Sequence, residues 1–152
     1  MRRILPILAI LAVLIGAAPV SAQLIGTWAG EGKGFCYPKP EVDIVIYPWQ
    51  SWKGEVCYTD ETDKPVFEGE WFDEEGYHGT FFGKMYPTPI EEYYLFKGEW
   101  TWFDPASKTA KPVVGGKFEM KFHFLVGTCN GFWDTEWPSP VEQGTMWGKK
   151  ID

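Results

Sequence analysis

Apolar and polar side chains alternate along most of the chain, with the period of a strand that has one dry face and one wet face. The clearest run is 114–124, where Gly116, Phe118, Met120, Phe122 and Phe124 oppose Lys117, Glu119, Lys121 and His123. In 67–71, Phe67, Gly69 and Trp71 share one face while Glu68 and Glu70 share the other, and a near copy recurs with Phe96, Gly98 and Trp100. The same reading predicts strands at 24–30, 42–47, 52–58, 77–85, 93–103, 127–137 and 141–149. Turn chemistry separates them, as at Asp73 to Gly76 and at Cys129, Asn130 and Gly131. No stretch has the periodicity of an amphipathic helix.

These runs predict an all-β fold: an antiparallel meander forming a closed or nearly closed barrel of roughly eight to ten strands, with a two-sheet sandwich as the competing arrangement. A glycine between two rings on the inner face makes room for a neighbouring strand's large side chain and lets the sheet bend.

The first residues change the picture of where the protein works. Arg2 and Arg3 precede an apolar run over 4–18 and a small-residue ending at Val20, Ser21 and Ala22, which reads as a secretory signal cleaved after Ala22. The expectation is a secreted or periplasmic protein with a signal at 1–22 and a single all-β domain at 23–152. No membrane insertion is expected after cleavage. The formal charge is −7 and every cation beyond the signal is a lysine. Without a basic patch or an arginine fork, nucleic acid is not an expected partner.

Nine tryptophans, seven tyrosines and eleven phenylalanines all lie beyond the signal. Such a supply of rings predicts either a ring-built core or a stacking surface. Three cysteines, Cys36, Cys57 and Cys129, would enter a compartment that permits disulfides; Cys36 with Cys57 is the favoured pair because they are closest in sequence. No cysteine or histidine spacing suits zinc, and no metal or cofactor is expected.

Catalytic signals are sparse. His78 and His123 read as surface residues, no serine stands in a nucleophile elbow, and no catalytic residue is assigned. Glu70 and Glu99 could imitate a glycosidase pair, but both oppose the aromatic face, as residues of a wet sheet surface do. The acidic stretches 60–63 and 73–75 lack the ligand order of a calcium loop.

The opening Leu24, Ile25, Gly26, Thr27 and Trp28, followed by repeated Gly-x-aromatic strands, resembles the calycin barrels, the lipocalins and avidins, whose first strand carries G-x-W. That resemblance implies a barrel with Trp28 plugging one end and a small apolar ligand entering the other. It does not extend to biotin binding, because Ala29, Gly30, Glu31 and Gly32 lack the polar side chains that grip that ligand. Phe67 to Trp71 with Gly76, His78 and Gly79 also looks like one MORN repeat, although the glycines do not recur at the fixed interval an array needs.

Two binding modes follow for an exported, non-enzymatic protein. In the first, a small apolar or aromatic ligand occupies the interior, walled by Trp28, Phe67, Trp71, Trp100, Phe118, Met120 and Phe122. In the alternative, the core is solid and the protein is a structural or interaction module, with Trp49, Trp52, Trp137 and Trp147 forming an exposed platform for a glycan or a protein partner.

Overall fold

Eight strands form where the alternation is cleanest. They are β1 (Gly26–Lys33), β2 (Ser51–Cys57), β3 (Val66–Phe72), β4 (His78–Tyr86), β5 (Tyr94–Trp102), β6 (Val113–His123), β7 (Thr128–Asp134) and β8 (Gln143–Lys150), preceded by one helical turn, α1 (Ser21–Leu24). The computed structural model describes residues 21–152 apart from 40, 62, 91 and 137–142. Residues 1–20 of the signal expected at 1–22, and Trp137, therefore lie outside the described residues.

Each strand pairs antiparallel with the next, and β8 returns to pair with β1, so the sheet closes on itself as a barrel. Closure leaves no two separate sheets, which excludes the sandwich. The strand expected at 42–47 does not form. Ile46 makes only an isolated bridge to Cys36, and the segment from Gly34 to Gln50 becomes a long loop over one barrel end. Pro38, Pro40 and Pro48 withhold the N–H groups that a ladder would need.

We call the end holding this loop, the β3–β4 turn and the β5–β6 loop the upper end. The loop is pinned there by the Tyr47 N–H donating to Asp73 Oδ2 at 3.1 Å, the Glu74 N–H donating to Gln50 Oε1 at 2.8 Å, and an ion pair between Lys39 and Asp104. At the lower end the Asp152 carboxylate accepts the Thr27 N–H at 2.7 Å, fastening the C-terminus across the start of β1.

Side-chain parity sorts the walls as the alternation predicts. Phe67, Trp71, Phe96, Trp100, Phe118, Met120 and Phe122 point inward and are buried, while Glu68, Glu70, Lys97, Lys117 and Lys121 are exposed. An eight-stranded barrel is just wide enough for side chains to fill. Here the filling is layered. Trp49, Trp52, Trp71, Trp100, Trp102 and Trp133 occupy the upper part, and Trp28, Val56, Phe67, Phe96, Met120 and Phe122 the lower.

Register explains how so many rings fit. Trp71 lies opposite Gly79, Trp100 opposite Gly116, and Trp133 opposite Gly144. Each indole passes over a glycine of the adjacent strand, Gly79 for Trp71, Gly115 for Trp100 and Gly144 for Trp133, towards the strand beyond. Trp71 of β3 crosses β4 and donates to the Thr101 carbonyl of β5 at 2.7 Å; Trp100 of β5 crosses β6 and donates to the Asp134 carbonyl of β7 at 2.9 Å. A Cβ on Gly79 would overlap the Thr101 carbonyl oxygen and stand against the Trp71 indole nitrogen. The repeated Gly-x-ring cassette is thus the local rule of the barrel: β3, β5 and β7 each supply an indole over a glycine of the next strand.

Candidate functional site

The seven residues expected to wall a ligand chamber are brought together, but against one another. Phe67 meets Phe122 with centroids 5.0 Å apart, Phe96 meets Phe122 at 5.2 Å, and Trp71 meets Trp100 at 6.0 Å. Trp28 closes the lower end, its ring edge-on to Phe122 at 4.7 Å and its indole N–H donating to the Leu24 carbonyl at 3.0 Å. None of the seven is more than 3% exposed. These separations are those of offset and edge-to-face ring packing, worth about 0.5–1.5 kcal/mol a pair beyond the buried area.

The expected tryptophan platform is not a surface. Trp49 is 0% exposed and Trp52 2%. Trp52 shares the inward face of β2 with Gly54 and Val56, so parity sends it to the core. Trp49 sits just before β2 with φ of 64°, a left-handed conformation that turns its ring inward, where it stacks on Phe81 at 4.3 Å. Among the described members only Trp147 is exposed, at 39%.

The Cys36–Cys57 bond does not form either. Cys36 follows the upper end of β1, whereas Cys57 ends β2 at the lower end, and the length of a seven-residue strand separates them. That is roughly 20 Å, far beyond the Cα separation a disulfide spans. Cys129 faces the interior, and burial pushes its thiol up to about 12. Burial and then the carboxylates of Glu68 and Glu55 push the Cys57 thiol up as well.

Glu70 and Glu99 do not form a pair. Strand β4 lies between them, Glu70 opposite Thr80 and Glu99 opposite Phe82. Asp73, from an acidic stretch weighed as a calcium loop, accepts the N–H groups of Tyr47 and Tyr77 and so serves the β3–β4 turn. Among the described residues no group of three histidine, cysteine, aspartate or glutamate side chains could hold a metal ion.

Open grooves lie on the outer wall: one of about 690 Å³ crosses β2 to β4, and others lie over β4, β5, β6 and β7. Three grooves lie over these last four strands, and the one of about 380 Å³ shares Tyr86, Lys97, Gly98 and Glu99 with one of about 420 Å³ and Glu119 and Phe132 with another of about 420 Å³. We refer to them together as the trough. Its rings are Phe82, Tyr86 and Phe132, 43%, 46% and 51% exposed. Its floor includes Gly98 and Gly131, where the inward-facing position carries no side chain. Its polar groups are ordered in advance: Lys97 pairs with Glu119 at 3.2 Å and lies over the Tyr86 ring at 5.5 Å, Lys121 lies over Tyr93 at 5.0 Å, and Lys117 pairs with Glu136 at 3.4 Å.

Sequence reasoning passed over these rings, although a signal for them was present. Phe81–Phe82, Met85–Tyr86 and Phe132–Trp133 are adjacent large apolar pairs within strands, and consecutive residues of a strand cannot both face inward. Phe81, Met85 and Trp133 take the inner places, which forces Phe82, Tyr86 and Phe132 out.

No protein-family profile matches the chain, and it matches neither a curated protein nor a solved structure. The barrel agrees with the architecture that the calycin likeness implied, at the level of an antiparallel, closed, eight-stranded meander.

Proposed function

We propose that this is an exported, non-enzymatic binding module whose barrel is a ring-filled scaffold and whose ligand lies outside, in the trough over β4 to β7. The observation that carries this reading is the contrast between the two candidate surfaces. The inward rings contact one another, whereas Phe82, Tyr86 and Phe132 stand exposed along connected grooves. Exposed rings grouped on one face, with polar side chains held between them, are the common composition of a recognition surface. Export rests on the reading of residues 1–22, and a calycin relationship rests on the opening G-x-W and the shared barrel architecture.

Amide chemical-shift mapping on the labelled, exported chain tests the site. The probes are oligosaccharides, short peptides and lipophilic molecules. Shifts centred on β4 to β7 with at least one class are the expected outcome. Shifts confined to the surroundings of Phe67, Phe96 and Phe122, seen only with lipophilic probes, would move the ligand to the interior and overturn the proposal.

The interior reading retains one specific observation. The indole N–H groups of Trp49 and Trp133 are buried in the upper layer with no hydrogen-bond acceptor. An unmatched buried donor costs about 1–3 kcal/mol, so a small guest carrying acceptor oxygens would be stabilised there.

A further inference from the structure

We infer that the occupant of the trough is an uncharged carbohydrate chain; this rests on the trough being the site and concerns only what fills it. The first argument is charge. Lys84, Lys97, Lys117 and Lys121 on this wall are matched by Glu99, Glu119, Asp134 and Glu136, so the wall is electrically balanced on a chain whose formal charge is −7. The groove over β2 to β4 differs, with Lys53 against Glu55, Glu68 and Glu70. Of the four lysines, Lys97 and Lys117 are paired to Glu119 and Glu136, so a polyanion would find Lys84 and Lys121 outside those pairs but would lie against Glu99, Glu119 and Asp134, and a polycation would meet lysines throughout. A neutral ligand breaks nothing.

The second argument is the arrangement of rings and acids. Phe82 lies directly opposite Glu99 across the β4–β5 ladder, and Phe132 directly opposite Glu119 across the β6–β7 ladder. Such neighbours stand about 5 Å apart at their Cβ atoms. A ring beside a carboxylate suits a sugar unit: the ring takes the C–H face, and the carboxylate accepts hydroxyl protons in charge-assisted hydrogen bonds. The combination occurs twice, on the β4–β5 and β6–β7 ladders, two strand spacings apart, about 10 Å along the sheet. Tyr86, Lys97 and Asn130 line the grooves between and beside the two. An apolar protein segment would find Ile90, Tyr93 and Leu95 at one end of the trough but would meet the carboxylates of Glu99 and Glu119 opposite Phe82 and Phe132.

Isothermal titration of the exported chain with cellohexaose, xylohexaose and chitohexaose, with polygalacturonate and a polyglutamate peptide as charged controls, tests the inference at low and high salt. At least one neutral oligosaccharide should bind with little dependence on salt. Phe82→Ala and Phe132→Ala should each weaken it about tenfold, with unchanged melting temperatures because both rings are exposed. Neutral-sugar binding that neither substitution weakens overturns both the inference and the site. Binding confined to the charged polymers and weakened by Phe132→Ala keeps the trough and overturns the neutral sugar. No binding by any sugar also overturns the inference, while shift mapping decides the trough independently.

Discussion

Gly98 shows how closely single residues are constrained. It faces Gly83 and Phe118 across its two ladders, and a Cβ there would overlap the Phe82 carbonyl oxygen. Backbone cannot move aside as a side-chain tip can, so Gly98→Ala should cost about 3 kcal/mol or more, read as a lower urea midpoint with an unchanged slope. An effect below the error of the measurement would contradict the register. Asp104 makes a second point. The hydrogen bond from Lys39, followed by the Ala106 N–H, holds its carboxyl below the ordinary 3.8. A depressed folded value means that the stabilisation is present above the ordinary carboxylate value and is lost as pH falls through the lowered one. Asp104→Asn should therefore be less stable than the parent at neutral pH, and the two urea midpoints should converge as pH falls through the lowered value. A gap that widens on acidification would contradict the latch. Cys36 and Cys129 are buried and Cys57 is partly exposed. Thiol labelling of the native chain should accordingly stop at one slow site and reach three only on unfolding; intact mass should show no disulfide.

The strands are the unit in which most of the fold was legible. In β3, β5 and β6 a strict period of two, with rings on one side and charges on the other, left only one way for the strand to face. The segment from Gly34 to Gln50 was not legible, since its β-branched residues suggested a strand while its prolines and the positive φ of Trp49 made a loop. Nor was the destination of Trp49 and Trp52, because composition says that rings are abundant without saying which are left outside. Parity within adjacent apolar pairs carries that information for Phe82, Tyr86 and Phe132. The cassette itself can be tested at this scale. Trp71→Ala empties the space over Gly79 and should cost about 3–5 kcal/mol. Trp71→Phe keeps much of the volume but strands the Thr101 carbonyl, for about 1–3 kcal/mol. Equal losses in the two variants would contradict the crossing indole hydrogen bond.

At the scale of the molecule, closure and filling belong together. With β8 paired to β1 the sheet has no open edge between its first and last strands, and rings from β1 to β7 fill the interior over the glycines of their neighbours. In the proposed reading the recognition chemistry lies on the outer wall, in the grooves over β4 to β7. The central claim is that the interior is occupied by the protein's own side chains. Native mass spectrometry of the chain, purified without a detergent step and compared before and after unfolding, tests it most directly. The mass of the polypeptide alone in both states is the predicted result. A small apolar molecule retained at one per chain, and released only when the barrel unfolds, would contradict it.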